Sequence, residues 1–214
     1  MAAALIPVKS LREGKTRLSA VLTAEQRHQL TIAMLYDVLQ AAIEAGLWPV
    51  TVVSADADVL SAAVAQGARG LVEPEAARGL NPAVEHGLGV LERHRVERAI
   101  VLQPDVPTVE ASDLSAISDL LGEHQVVIVP STDGGTNALG LHLPPAIRPG
   151  FGPESAARHS QAAWLAEVFV AVRMFESLAS DVDEPADLDR LASAGAAPRT
   201  QEVLAGFGLT VPAA

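Results

Sequence analysis

Cysteine is absent from this 214-residue chain, which excludes disulfides and zinc–thiolate centres and leaves the redox compartment unread. Aromatic residues are scarce, at 3%, although hydrophobic residues make up 49%. The core is therefore built of Ala, Val, Leu and Ile, as in helices packed on a largely parallel sheet. No apolar run approaches the about 20 residues needed to cross a bilayer. The most apolar late stretch, residues 162–175, is broken by Glu167 and Arg173. The start, Met1 to Val8, lacks the positive charge and long apolar segment of a secretory signal. Linkers, repeats and low-complexity segments are missing too. These absences predict a cytoplasmic protein, and a chain of this length buries roughly 70% of its unfolded surface without staples.

Positive charge is the other shortage. The formal net charge is −11, which disfavours nucleic acid, since Lys and Arg drive binding to phosphates. The same field repels any phosphate-bearing substrate unless a local cation cluster or a metal offsets it. There are only two lysines, Lys9 and Lys15, and both lie in one short segment. They read either as ordinary surface lysines or as a phosphate-gripping loop.

Apolar periodicity predicts strands at residues 3–7, 49–54, 70–73, 99–102, 125–130, 137–143 and 168–175. It predicts helices at 23–45, 56–66, 82–94, 110–121, 153–165 and 185–194. Thr23 and Gln26 form a capping box at the first helix, and Gly46 ends it. The regular βαβα order implies parallel pairing with right-handed crossovers. The change of pattern late in the chain implies one antiparallel strand. One domain over residues 1–195 is expected, with a small-residue-rich tail over 196–214 that is loosely held.

Open α/β sheets bind ligands at the carboxyl ends of their strands, and five segments there carry chemistry. The first runs from Pro7 to Leu18. Its Gly14-Lys15-Thr16 looks like the end of a P-loop, but Lys9 stands where the earlier glycine is required. What remains is a loop with four cations, Lys9, Arg12, Lys15 and Arg17, able to hold a triphosphate. In the second segment, Arg78 to Pro82, Asn81 reads as an N-cap ahead of Pro82 or as a group that reads a base. In the third, Asp105 is clamped between Pro104 and Pro107, a rigidity that suits a metal ligand as well as a turn. The fourth couples Asp133 to Leu139 with Phe151 to Ser155 and His159. Its glycine amides and Thr136 and Ser155 hydroxyls form either a neutral anion-binding surface or a hairpin and a capped helix. In the fifth, Asp181 and Asp183 point the same way along an extended segment. With Asp105 they would complete an oxygen-rich Mg²⁺ site, and Asp183 also suits a helix N-cap.

In this order, the motifs resemble the 2-phospholactate guanylyltransferases, a family whose members use 2-phospholactate, phosphoenolpyruvate or 3-phosphoglycerate in deazaflavin coenzyme biosynthesis. The resemblance rests on Pro7-Val8-Lys9 with Lys15-Thr16-Arg17-Leu18, Gly79-Leu80-Asn81, Asp105-Val106-Pro107, Gly135-Thr136-Asn137-Ala138-Leu139, Phe151 to Ser155 with His159, and Asp181 to Leu188. It covers residues 6–191. Departures are Arg12-Glu13-Gly14, Pro82 and Ala156; none removes a carboxylate of the motifs. The resemblance implies a single-domain nucleotidyltransferase (glycosyltransferase-A-like) fold, a mixed and mostly parallel sheet with helices on both faces. It implies that Asp105 binds metal with Asp181, Asp183 or both. It assigns Thr136, Gly152 and Ser155 to the phospho-acid.

Charge then sets the expected mechanism. A phosphate oxygen of the acceptor attacks the α-phosphorus of GTP, and pyrophosphate leaves. Lys15 and Arg17 stabilise the leaving group, while Lys9 and Asn81 contact the nucleotide. Mg²⁺, with Mn²⁺ as a substitute, neutralises the two anions. No general base is required, because a phosphate ester is largely ionised near pH 7. Histidines lack metal-ligand spacing, and His159 is read as structural. Expected partners are GTP, a small phospho-acid, a downstream transferase that takes the product, and a second copy of the chain in a homodimer. Two rivals share this fold: a transferase with another nucleotide or acceptor, and a non-catalytic nucleotide-binding protein.

Overall fold

The computed structural model describes residues 1–11, 15–75, 78–193 and 196–209, without the side chains of 192 and 193. Seven strands form one sheet in the order β3-β2-β1-β4-β6-β5-β7. They are β1 (Ala3–Pro7), β2 (Val50–Ser54), β3 (Arg69–Val72), β4 (Arg98–Leu102), β5 (Val126–Pro130), β6 (Thr136–His142) and β7 (Val170–Val172). The helices are α1 (Ala24–Glu44), α2 (Ala57–Ala65), α3 (Leu80–Arg93), α4 (Ala111–Leu120), α5 (Ser155–Leu165), α6 (Pro185–Ser193) and α7 (Pro198–Gly206).

Strand alternation builds two cores. Ala4 and Ile6 of β1 pack with Val52, Ile100 and Val127 under α1, α2 and α4. Ala3 and Leu5 of the same strand pack with Val53, Val101 and Ile128 under α3 and α5. Because successive side chains of a strand face opposite ways, an unbroken apolar strand needs helices on both faces. The expected mixed, mostly parallel sheet is present. Pairing is parallel except at β6, which runs antiparallel to both β4 and β5.

Local signals set the helix ends. The Thr23 side chain accepts the Gln26 N–H, and the Gln26 side chain accepts the Thr23 N–H, as the capping box requires. Asp56 caps α2 through the Asp58 N–H at 3.1 Å. Three expectations are corrected. The Asn81 N-cap fails, because α3 begins at Leu80, two residues earlier than expected, with Gly79 as its cap. The strand expected over residues 168–175 shortens to Val170–Val172, and a 3-10 turn follows at Glu176–Leu178. The tail is not loosely held throughout. It carries α7, whose Arg199 and Thr200 amides donate to buried Asp37 on α1 at 3.0 and 2.8 Å. Leu204 of α7 joins Leu18, Leu30, Met34, Val182 and Leu188 in a third apolar cluster. No helix among the described residues is long and apolar enough to cross a membrane.

Candidate active site

Strand order decides what meets at the carboxyl edge. β1 lies beside β4, so the loop after β1 faces the loop after β4. Lys15 of the first loop reaches Asp105 of the second, Nζ to Oδ2, at 2.6 Å. Its Nζ also stands 2.8 Å from Asp183 Oδ1. Asp105, Asp181 and Asp183 converge, one carboxylate oxygen from each lying within 4.8 Å of the others. The Val182 N–H donates to the Asp105 carbonyl at 3.0 Å and fastens the acidic segment to the β4 loop.

This cluster is short of positive charge. Burial pushes the Asp181 carboxyl up to about 6, and the negative charges of Asp105 and Asp183 add to the push. Burial alone would lower the Lys15 pKa, but its two carboxylate partners outweigh burial and raise it. Three oxygen donors without sulfur or imidazole suit a hard divalent ion.

The acidic segment is shaped by Asp187, a residue of the motif to which sequence reasoning gave no role of its own. Asp187 accepts the N–H groups of Asp183 and Glu184 at 2.8 and 2.7 Å and pairs with Arg190. Asp183 therefore does not supply the cap expected of it, and its carboxylate is turned to Lys15. Asp187 belonged to the Asp-rich motif, and its place in the first turn of α6 was the available signal. Arg17 sits at the rim, exposed, with Nη1 3.4 Å from Glu184 Oε1. Arg12 of the expected cation loop lies outside the described residues.

On the other side of β4, the antiparallel register sets Ala138 opposite Leu102. The start of β6 thus comes beside Asp105, and the Gln103 N–H donates to the Asn137 carbonyl at 3.0 Å. Asn137 in turn donates to the Leu178 carbonyl at 2.9 Å, anchoring the chain that leads to Asp181. Thr136 opens β6, and Ser155 opens α5. Their hydroxyls meet at 2.9 Å, with His159 Nδ1 3.1 Å from Thr136 Oγ1. The Gly150 N–H donates to His159 Nε2 at 2.9 Å. The ring proton is therefore on Nδ1, which donates to Thr136. Burial, and then the neighbouring charge of Arg158, lowers the His159 pKa to about 4.

Thr136 and Ser155 are thus brought together as expected, but both are buried. The freely exposed amides expected here are not what the turns offer. The Gly134 N–H donates to Ser131, Ser155 to Gly152, and Ala156 to Gly134. Gly135 donates to the Asp133 carboxylate. Gly152 holds φ at +127°, a conformation that disfavours any side chain.

A second feature lies on the opposite flank. A cleft of about 560 Å³ opens at the ends of β1, β2 and β3, with Lys9, Asp56, Glu73 and Arg78 among its walls. Asn81 is not among the cleft residues. Its amide accepts the Phe151 N–H at 2.7 Å and donates to the Phe151 carbonyl at 3.2 Å, tying α3 to the Phe151–Gly152 turn. Glu73 and Asp56 were not singled out in the sequence; each follows a strand and precedes a helix, which was the only signal.

The model of the family described as guanylyl transferase CofC like matches residues 2–214. A phosphoenolpyruvate guanylyltransferase of Rubrobacter xylanophilus is 40% identical over 194 residues, covering 90% of this chain and 94% of that protein. A 3-phospho-D-glycerate guanylyltransferase of Phenylobacterium zucineum is 37% identical over 209 residues, covering 95% of each. Among solved structures, a nucleotidyl transferase of Methanothermobacter thermautotrophicus superposes with a TM-score of 0.66 at 14% identity, covering 96% of this chain and 99% of that one. That likeness concerns the fold.

Proposed function

This chain belongs to the guanylyl transferase CofC-like family, and from that membership we propose that it transfers GMP from GTP to a small phosphorylated acid with release of pyrophosphate. Phosphoenolpyruvate, 3-phosphoglycerate and 2-phospholactate are the acceptors to compare. The reading places the reaction in deazaflavin coenzyme biosynthesis in the cytoplasm, where a downstream transferase takes the guanylylated product. The observation that carries it is the cluster of Asp105, Asp181 and Asp183, with Lys15 paired to the first and third, at the β1–β4 edge between the strands of the open cleft and the start of β6.

The three sites follow the sheet. The cleft at β1–β3 takes the nucleoside, the β1–β4 junction takes the phosphates, and the start of β6 takes the acceptor. A phosphate oxygen of the acceptor forms a bond to the α-phosphorus. The bond from that phosphorus to the oxygen bridging to the β-phosphate breaks, and pyrophosphate leaves with the electron pair. Asp105, Asp181 and Asp183 would hold Mg²⁺ or Mn²⁺, which would supply the charge neutralisation that lets two anions approach. Lys15 and Arg17 bring the chain's own positive charge to the phosphates, with Lys9 at the cleft. Thr136, Gly152 and Ser155 orient the acceptor, and His159 holds the Thr136 hydroxyl in place. No protein base takes part, since the acceptor phosphate, with a second pKa of about 6, is already largely ionised.

The deciding experiment incubates the protein with GTP, Mg²⁺ and each phospho-acid in turn and weighs the products. A mass equal to acceptor plus GMP, with matching pyrophosphate, supports the reading. No such mass with any of the three acceptors overturns it.

A further inference from the structure

The cleft at the ends of β1, β2 and β3 has two carboxylates, and they are not equivalent. Asp56 is fully engaged by its own loops. Its Oδ2 accepts Ser10 Oγ–H at 3.2 Å and the Leu11 N–H at 3.1 Å, and its Oδ1 accepts the Asp58 N–H at 3.1 Å. It buckles the β1 loop to α2. Glu73 differs. Its backbone is pinned to β2, its N–H donating to the Ser54 carbonyl at 2.9 Å. Its Oε1 accepts the Gly79 N–H at 2.6 Å, and its Oε2 makes no hydrogen bond or ion pair among the described residues. Gly79 turns that N–H back through a φ of +119°, so the carboxylate is held at the wall of the cleft.

Around Glu73 the cleft offers apolar surface from Pro7, Val8, Leu80 and Ala83, with Lys9 and Arg78 as its cations. A flat ring with an apolar face and a hydrogen-bonding edge fits such walls. The carboxylate can only accept, and it retains lone pairs on both oxygens. Guanine carries N1–H and the 2-amino group side by side, two donors on one edge. Adenine presents an acceptor at N1 instead, which a carboxylate repels.

The geometry points to Glu73 as the residue that reads the base: its carboxylate accepts N1–H and the 2-amino group of guanine and so selects GTP. This assignment rests on the guanylyl-transfer reading for the presence of GTP, and it adds the group that chooses the nucleotide. A site built to accept a substrate N–H discriminates strongly against an analogue that lacks it.

The test compares GTP with ITP, which lacks only the 2-amino group, and with ATP. Binding is read without acceptor by displacement of a fluorescent GTP analogue. Transfer is read as kcat/KM for pyrophosphate release with phosphoenolpyruvate, 3-phosphoglycerate and 2-phospholactate. Wild type binds GTP over ITP by about 10- to 150-fold, the worth of one hydrogen bond to a charged group. Glu73→Gln keeps an oxygen for Gly79 but turns an N–H₂ toward the base. It lowers the GTP/ITP and GTP/ATP ratios by at least about 10-fold, with an unchanged melting temperature. Wild type that binds ITP as tightly as GTP overturns the assignment without any variant. So does a folded Glu73→Gln protein with unaltered ratios. Discrimination in binding without transfer to any acceptor leaves Glu73 standing and removes the transfer reading. Transfer from GTP with ratios unmoved by Glu73→Gln does the reverse.

Discussion

The Lys15 ammonium stands 2.6 Å from the Asp105 carboxylate, across 90 residues of sequence, and 2.8 Å from Asp183. A cation from the first loop thus sits in an acidic cluster that has no other ion pair among the described residues. Lys15→Met should leave three close carboxylates facing one another. The expected loss is about 2 kcal/mol, below the 3–5 kcal/mol of a fully buried pair because Asp183 is nearly half exposed. Urea unfolding in EDTA measures it. Millimolar Mg²⁺ should restore part of the lost stability, and turnover should fall. A variant as stable as wild type in EDTA would show that the ion pair does nothing for the fold.

Asp105→Asn should reduce kcat to under a tenth of wild type while the fold persists. Each decade corresponds to about 1.4 kcal/mol of transition-state stabilisation. Steady-state pyrophosphate release decides the point, with circular dichroism as the check on folding. Retention of more than a tenth of kcat would remove Asp105 from the metal site.

Ser155→Ala should raise the KM for the phospho-acid more than that for GTP. Ser155 gives its hydroxyl proton to Thr136, so its loss reaches the acceptor through the Thr136 hydroxyl, and the worth of one hydrogen bond to a charged ligand, about 10- to 150-fold, is the upper bound of the effect. Because Ser155 is buried and bonded to Thr136, the melting temperature must be followed alongside. An effect confined to GTP would move this residue to the nucleotide side.

Acid should act on His159 and Asp181 in opposite directions. Folded His159 stays neutral down to about 4, whereas the unfolded side chain titrates near 6.5. Between those values the unfolded chain holds more protons, so this group costs stability as pH falls. Asp181, raised to about 6 from 3.8, takes its proton first in the folded state, so over that window it adds stability as pH falls. His159→Gln should therefore lose less stability than wild type between pH 7 and 5. Urea titrations in EDTA at both values give the comparison, and parallel losses would contradict it.

Asp37→Ala should destabilise the protein by about 3 kcal/mol, since it strands two amides and the Thr200 hydroxyl that now donate to a buried carboxylate. Thermal unfolding measures it. A shift of less than about 1 kcal/mol would mean that α7 is not fastened through Asp37.

The order of strands and helices was legible because apolar periodicity is local, and the start of α1 because Thr23 and Gln26 are three residues apart. Asp105, Asp181 and Asp183 were legible as carboxylates beside rigid or extended backbone. The rest depended on distant partners. The anchor of α7 is Asp37, 162 residues from Arg199, and nothing near residue 200 announces it. The start of α3 depended on a glycine with positive φ whose N–H turns back to Glu73. The Gly-rich turns looked open because sequence cannot show which carbonyls their amides already meet.

The reversed direction of β6 has an evolutionary consequence. In every parallel strand the reacting edge is reached from the strand's end, but in β6 it is reached from its beginning, through the hairpin that leads out of β5. In the proposed reaction the choice of acceptor is therefore physically separable from the choice of nucleotide. It is also stepwise. Along a strand a one-residue change of register turns a side chain to the opposite face, and two residues slide it by about 6.8 Å; the irregularity between Val129 and Pro130 already sets Thr136 apart from the regular ladder. In the proposed reaction, side chains exchanged on this frame alter the acceptor site without moving the strand, because no small sliding lies between one pleat and the next.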